Sequence, residues 1–398
     1  MSVTFPRGFR ASGVTAGMKP SGDPDLGLLV SDEPCGAAGL FTTNVFSAAP
    51  VRLSRSRLAR SDSAQAVIVN SGQANAGTGV RGDHDVEHVT QAAATELGLD
   101  ESLVLACSTG VIGEPLHVDE LLRVLPALVA GLSPDGGDAF ARAIMTTDTK
   151  PKQATAERTP YRVGGAAKGV GMIAPDLHLA TMLVFITTDA PIPGAEIGAL
   201  AREVVEPVFE SLTVDGCTST NDSVLLLASG AAGGDLVLPA TDAWRDVSQA
   251  IEEVARSLVL QLADDAEGAN HVMLVEVTGA PTEHDAQIVA KAIANSPLVK
   301  TAMFGGDPNP GRILQAIGSS GANFLPQSVA SFIGDVLVIE GGQIPDEYRE
   351  AGLEAARAAL GEREIVVAVS LGQGAGSSRA LGVDLSYDYV RINAEYTT

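Results

Sequence analysis

Thr181 has the sequence context of a self-processing nucleophile. It follows the small residue Ala180 and precedes an apolar run, residues 182–186, that predicts a buried strand. Backbone self-cleavage needs a hydroxyl at such a boundary, where Thr181 attacks the preceding carbonyl and hydrolysis frees a new N-terminus. The freed α-amine, with a pKa near ~8, would act as the base for its own hydroxyl. Taken alone, the pattern more often marks an ordinary β-branched strand residue.

Thr109 and Gly110 form a second candidate group. They end a predicted strand, residues 101–109, so we expect a turn that presents a hydroxyl together with a backbone N–H. Two such donors side by side are what holds an oxyanion during acyl transfer. An ordinary turn explains the same pair, and the sequence leaves both interpretations open. The hydroxyls and the carboxylate of residues 146–149 likewise fit either a site or simple helix capping.

Three familiar motifs occur in the wrong context. Residues 77–82 spell a dinucleotide-binding fingerprint, but they stand too far from the preceding strand. His84 and His88 lie one helical turn apart without the glutamate that a zinc protease places after its first histidine. Residues 162–167 match a pyrophosphate loop of acetyl-CoA-dependent transferases, yet the glycines and proline that follow argue against a helix there.

Composition defines the broad class of the protein. The 398 residues are 45% hydrophobic, which is enough for a large core and predicts two lobes or one extended sandwich. No apolar run reaches the length of a membrane span, and the first residues lack a secretory signal, so we expect a cytoplasmic protein. The net charge of −23 argues against nucleic acid and anionic membranes as partners. Three scattered cysteines predict neither a disulfide framework nor a metal cluster.

Hydrophobic periodicity predicts a mixture of strands and helices in both halves of the chain. This mixture indicates an α+β fold, a layered α/β sandwich with internal sheets. The predicted strands are residues 27–30, 66–70, 101–109, 182–186, 223–228, 272–277, 299–304 and 365–370. The predicted helices are residues 84–97, 117–132, 137–145, 195–211 and 242–262.

Polar clusters along nearly the whole chain resemble the ornithine acetyltransferase family, also called glutamate N-acetyltransferases. The motifs that carry the resemblance are residues 8–13, 41–44, 49–51, 70–76, 108–113, 145–149, 167–169 with 180–183, 219–222, 300–302 and 393–398. The resemblance implies an α+β enzyme that cleaves itself into residues 1–180 and 181–398. It also implies a dimer of such fragment pairs. The chain departs from the family between Lys168 and Thr181, where residues 176–179 make the spacing two residues longer.

The resemblance also implies roles for single residues. Thr181 would be the nucleophile, with the cleavage site between Ala180 and Thr181, and Thr109 and Gly110 would form the oxyanion hole. Six positions resemble the family's substrate-binding residues. They are Thr146, Lys168, Thr181, Glu267, Asn393 and Thr398. Lys168 suits a substrate carboxylate, and Glu267 suits an ammonium group.

The predicted reaction is therefore acetyl transfer from N-acetylornithine to glutamate through an acetyl-Thr181 ester. No cofactor or metal is implied, although acetyl-CoA is a candidate second donor. Two alternatives stay open at this point. One is an amidase or aminopeptidase on the same self-cleaving scaffold, in which water replaces glutamate. The other is an uncleaved, non-catalytic binder of a small molecule.

Overall fold

A computed structural model describes residues 2–174 and 182–395 of the chain. The chain divides into two compact units, which are described separately below. The first unit takes residues 1–210 and 217–262, and the second takes residues 211–216 and 263–397. The predicted fragments meet between residues 180 and 181, whereas the compact units meet at residues 210–217 and 262–263, so the two divisions of the chain differ. Within the described ranges, no helix combines the length and apolarity needed to cross a membrane.

An eight-stranded sheet forms the centre of the first unit. Its strands are β1 (Phe9–Val14), β2 (Leu26–Phe41), β3 (Ser63–Gln73), β4 (Val104–Val111), β5 (Lys152–Arg158), β6 (Tyr161–Lys168), β7 (Leu183–Thr188) and β8 (Ser223–Ala228). Their order is β4-β3-β2-β8-β7-β6-β5, and β1 pairs with β2. The pairs β3/β4 and β7/β8 are parallel, and the other pairs are antiparallel.

Strand β3 of this sheet is apolar on both faces because a hydrophobic cluster covers each face. In β3, Val67 and Val69 belong to one cluster, while Ala66 and Ile68 belong to another. Side chains alternate between the faces of a strand, so a sheet covered on both sides requires a continuous apolar run. The strands predicted at residues 27–30 and 66–70 are thus confirmed within β2 and β3.

Helices cover the sheet of the first unit. They are α1 (Ala49–Arg60), α2 (Gly79–Leu97), α3 (Val118–Ala130), α4 (Gly137–Ala143), α5 (Gly194–Leu200), α6 (Glu206–Glu210) and α7 (Asp242–Asp264), the last of which ends in the second unit. A π-helical turn, Ala201–Val205, joins α5 to α6 and confirms a helical segment where residues 195–211 predict one. The predicted apolar face of α7 is buried, and Val254 and Leu258 lie against Gly165 of β6.

The second unit contains a five-stranded sheet of order β11-β10-β12-β9-β13, in which β9 and β12 are parallel. Its strands are β9 (Val272–Ala280), β10 (Ala330–Ile333), β11 (Val336–Ile339), β12 (Glu364–Ser370) and β13 (Gly376–Val383). Its helices are α8 (Glu283–Asn295), α9 (Pro297–Gly305), α10 (Pro310–Gly318), α11 (Leu353–Ala359) and α12 (Tyr387–Glu395). A single hydrophobic cluster joins this sheet to its helices.

The strand predicted at residues 299–304 is wrong, because this segment is α9. The Ser296 side chain caps the helix by accepting from the Val299 N–H, and Pro297 occupies the first turn, where its missing N–H costs nothing. A short apolar run fits a buried helix as well as a buried strand. The serine-proline pair before the run was the signal that decides between them.

The fold is α+β, with sheets internal to each unit and helices layered on them, as predicted. Further elements begin or end within a few residues of their predicted positions. The largest difference at a site is at β4, which starts at Val104 after a 3-10 turn, Glu101–Leu103, and continues to Val111.

Candidate functional site

Thr109 and Gly110 lie inside β4, so the predicted turn at this position is wrong. Gly110 is in register with Gly72 of the parallel strand β3 and has a φ of +127°. A Cβ atom on Gly110 would lie 2.3 Å from the backbone of Gly72. Only glycine combines that backbone angle with so close an approach of two strands. The pair is therefore built into the sheet, which holds its backbone more rigidly than a turn would.

The buried Lys168 side chain contacts Thr109 directly. Its Nζ donates to Thr109 Oγ1 across 2.9 Å, and both residues are 1% exposed. An ammonium group donates but cannot accept, so the Thr109 hydroxyl accepts here and its own hydrogen points elsewhere. The contact thus orients a hydroxyl donor next to the backbone of Gly110. This combination suits stabilisation of an oxyanion.

Asp148 connects Lys168 to Thr146. Its Oδ1 accepts from Lys152 Nζ at 2.6 Å and from the Gly169 N–H at 2.9 Å, while its Oδ2 accepts from the Thr146 N–H at 3.0 Å. Burial alone would raise the pKa of Asp148, but the charges of Lys168 and Lys152 lower it below its ordinary value. The carboxylate is thus part of a buried charged network, and helix capping does not account for it.

Asn221 and Asp222 stand just before β8 and reach two other strands. Asn221 Nδ2 donates to the Ser108 carbonyl of β4 at 2.8 Å and to the Ala74 carbonyl at 2.6 Å. Asp222 Oδ1 accepts from the Met182 N–H at 2.9 Å. Burial raises the pKa of Asp222 well above its ordinary value, opposed only in part by the Met182 N–H and the charge of Lys168.

In the second unit, Glu267 and Asn393 lie together. Asn393 belongs to α12, and its Nδ2 donates to Glu267 Oε2 at 2.9 Å. Gly268 allows the contact, because a Cβ there would lie 2.3 Å from the Tyr389 nitrogen of α12. Glu267 is 9% exposed and offers a carboxylate to a cationic group.

The structure thus brings the described candidate residues into two groups. Thr109, Gly110, Thr146 and Lys168 are linked through β4, β6 and Asp148 in the first unit. Glu267 and Asn393 form the pair in the second unit. Ala180, Thr181 and Thr398 lie outside the described residues, as do residues 176–179, where the spacing departs from the family.

The motifs of other cofactor classes lack the structural context that those classes need. Residues 162–167 lie within β6 and do not open a helix, so they cannot present a helix N-terminus to a pyrophosphate. His84 and His88 are residues of α2. Across residues 2–174 and 182–395, no group of three or more His, Cys, Asp or Glu side chains is placed to hold a metal ion.

A family model, that of the ArgJ family, matches residues 10–398. The chain belongs to the ArgJ family. It is 47% identical to the arginine biosynthesis bifunctional protein ArgJ of Thermus thermophilus, with 100% of both chains covered. ArgJ membership confirms the resemblance that the sequence motifs indicated. It identifies the chain as an enzyme, an acetyltransferase of the ornithine acetyltransferase type.

Two solved structures are also similar to this ArgJ chain. The ArgJ protein of Bacillus halodurans is 38% identical with a TM-score of 0.50, and the match covers 54% of this chain and 98% of that one. An ornithine acetyltransferase of Mycobacterium tuberculosis, complexed with ornithine, is 44% identical with a TM-score of 0.43. That match covers 45% of this chain and 96% of the other.

Sequence reasoning missed two polar residues of this site, Asn221 and Asp222, and left the role of Asp148 open. Asp148, Asn221 and Asp222 all stand in motifs that carry the family resemblance. Each acts on a backbone group that is distant in sequence, such as Gly169, Ser108 or Met182. For Asn221 and Asp222, the available signal was an amide and an acid just before a buried strand, without a turn that would require them.

Proposed function

We propose that the chain transfers an acetyl group from N-acetylornithine to glutamate by a ping-pong reaction at Thr181. The observation that carries the proposal is the buried contact of Lys168 with the Thr109 hydroxyl next to Gly110. The contact orients the Thr109 hydroxyl as a donor for an oxyanion, beside the backbone of Gly110. Acyl transfer through an ester forms an oxyanion at each of its two steps.

In the proposed first step, the α-amine of Thr181 takes the proton of the Thr181 hydroxyl while the oxygen attacks the acetyl carbonyl. Thr109 and Gly110 stabilise the resulting oxyanion, which collapses to the acetyl-Thr181 ester. The proton moves from the ammonium to ornithine, which leaves as an amine. In the second step, glutamate attacks the ester, and the reverse transfers yield N-acetylglutamate and free Thr181.

The candidate binding residues suit an amino acid. Lys168 supplies a positive charge for a carboxylate, and Glu267 supplies a negative charge for an ammonium group. Thr146, Asn393 and Thr398 add hydroxyl and amide groups that position the substrate. We assign these five residues, with Thr181, to the binding of both amino acids.

Cleavage between Ala180 and Thr181 is part of the proposal, since it creates the α-amine. The Bacillus halodurans chain supports it, because 98% of that chain is matched by only 54% of this one. A solved chain of about half the length is expected if the family consists of two fragments, residues 1–180 and 181–398 here. The fragments would assemble as a dimer of pairs.

Product analysis tests this function. We expect the purified protein to form N-acetylglutamate from N-acetylornithine only when glutamate is present. Without glutamate, the fragment that begins at Thr181 should accumulate one acetyl group, and addition of glutamate should remove it. Acetyl-CoA, offered in place of N-acetylornithine, tests the second donor.

Two results would contradict the proposed reaction. Release of free acetate at the same rate with and without glutamate would show a hydrolase of the amidase type. A product that forms without any acetylated enzyme would show direct transfer between the two amino acids, without the Thr181 ester. Replacement of Thr181 by Ala is the control, and it should abolish both product and adduct.

A further inference from the structure

Asp222 is a buried acid with one carboxylate oxygen in a hydrogen bond and the other without a hydrogen-bond partner among the described residues. It is 0% exposed, and its Oδ1 accepts from the Met182 N–H at 2.9 Å. Its Oδ2 is buried as well and has no hydrogen-bond partner among the described residues. An unsatisfied buried carboxylate oxygen costs free energy, so its retention calls for a partner that appears in another state of the protein.

Asp222 is connected to Thr181 through Met182. The Met182 nitrogen that Asp222 holds is bonded to the carbonyl carbon of Thr181. Thr181 is therefore the residue directly before the one whose backbone Asp222 binds. Asp222 thus binds the backbone directly after the proposed nucleophile.

The neighbouring residue, Asn221, contacts the strand that carries Thr109 and Gly110. Its Nδ2 donates to the carbonyl of Ser108, which belongs to the same peptide unit as the Thr109 nitrogen. Two consecutive side chains therefore bind the backbone next to Thr109 and the backbone next to Thr181. The segment that contains Asn221 and Asp222 thereby connects the residue before β7 to β4.

We infer that Asp222 is a positioning residue for Thr181, and that its second oxygen accepts a hydrogen bond from the α-amine of Thr181 after cleavage. This inference rests on the proposed function. When the amine takes the hydroxyl proton, the O–H bond breaks, an N–H bond forms, and the new ammonium donates to Asp222 Oδ2. The carboxylate keeps no proton, and the leaving amine receives it.

The surroundings of Asp222 support this role. The charged group that acts on it is Lys168, which also acts on Asp148, the partner of Lys152. Burial raises the pKa of Asp222 despite Lys168, so the ionised carboxylate is short of positive charge. An α-ammonium group adjacent to it supplies that charge. In return, the carboxylate raises the pKa of the amine.

Asp222→Asn tests the inference, because its amide oxygen still accepts from the Met182 N–H while the negative charge is lost. Asp189→Asn is the matched control. Asp189 is also 0% exposed and accepts from the backbone N–H groups of Arg162 and Arg7, but it follows β7 at the opposite end of the β7/β8 pair. Cleavage, kcat, KM and the pH profile of kcat/KM are measured for both variants.

We expect Asp222→Asn to be cleaved, with kcat about 100-fold lower and KM within about threefold of wild type, since misplacement of a reacting group costs about that factor. The amine must be neutral to act as a base. In Asp222→Asn it loses a neighbouring negative charge, which lowers the pKa of the amine. The acid limb of the pH profile should therefore move to lower pH by about one unit. Asp189→Asn should keep the wild-type kcat and acid limb.

Three results would overturn the inference. They are an Asp222→Asn protein that stays uncleaved, one whose kcat is within threefold of wild type, and one whose acid limb coincides with that of Asp189→Asn. Failure of the proposed function would be visible separately. In that case wild type itself would show no cleavage or no acetyl transfer.

Discussion

At the scale of single residues, the Thr109 hydroxyl is oriented by a neighbouring side chain. The Lys168 ammonium occupies the accepting side of the oxygen, at 2.9 Å, and leaves the hydrogen to act as a donor. Both side chains are excluded from water, so the donor keeps its orientation before a substrate arrives. A hydroxyl prepared in this way stabilises a developing charge without having to reorganise.

Thr109→Val should lower kcat about 100-fold or more, because it removes one oxyanion donor while keeping the shape of the side chain. Steady-state kinetics of the transfer reaction measure the effect. Thr90→Val is the matched control, since Thr90 is also buried and its hydroxyl donates only to the Glu87 carbonyl of its own helix. We expect kcat of the control within about twofold of wild type.

A Thr109→Val enzyme with wild-type kcat would show that Thr109 has no part in the oxyanion hole. Thr109→Ser provides a further check, because serine restores a hydroxyl that Lys168 can orient. Recovery of most of the activity in Thr109→Ser would assign the loss in Thr109→Val to the hydroxyl itself.

Sequence predicts residues whose chemistry is specific, such as Thr109 and Lys168, because their motifs match a family. It does not predict the roles of Asp148 and Asp222. The carboxylate of each binds a backbone N–H group brought near by sheet pairing, and that proximity is a property of the fold. A role that depends on tertiary contacts to the backbone leaves little trace in residue type or spacing.

At the scale of elements, the close approach of β3 and β4 shapes the site. Gly72 and Gly110 are paired, and each has a positive φ, +125° and +127°. The two strands approach each other more closely than side chains would allow. The backbone of Gly110 is therefore held by the sheet, and the proposed oxyanion hole depends on this pair of strands.

Gly110→Ala should destabilise the protein by about 3 kcal/mol or more, because strain at a positive φ adds to a backbone clash. Gly98→Ala is the matched control. Gly98 ends α2 with a φ of +70°, and nothing lies within 4 Å of the position of its Cβ, so we expect a loss of only about 1 kcal/mol there. Thermal unfolding of the two variants measures the difference. Equal losses in Tm would show that the contact with Gly72 does not matter.

The elements show where sequence patterns suffice. Strands β3 and β8 are predicted correctly because both of their faces are buried and their apolar runs are continuous. Helix α7 is predicted because its apolar residues recur on one face. The error at α9 arises because the apolar run of residues 299–304 is too short to show whether its hydrophobic residues recur with the period of a helix or of a strand. The capping serine and Pro297 outweigh the strand preference of its valine, and only tertiary burial makes the result clear.

At the scale of the whole molecule, the chain has two distinct divisions. Compact packing separates residues 211–216 and 263–397 from the rest, whereas the proposed cleavage falls between β6 and β7, which are hydrogen-bonded neighbours in one sheet. The strand pairs Val163–Thr188 and Lys168–Leu183 span the proposed cut. Backbone hydrogen bonds would therefore hold the two fragments together after cleavage.

The intact mass of the purified protein tests the central claim most directly. We predict two fragments whose masses add up to the uncut chain plus one water molecule, with Thr181 as the first residue of the second fragment. Thr181→Ala should instead give a single species of about 40.7 kDa. A wild-type protein that transfers acetyl groups while remaining a single species of 40.7 kDa would contradict the account.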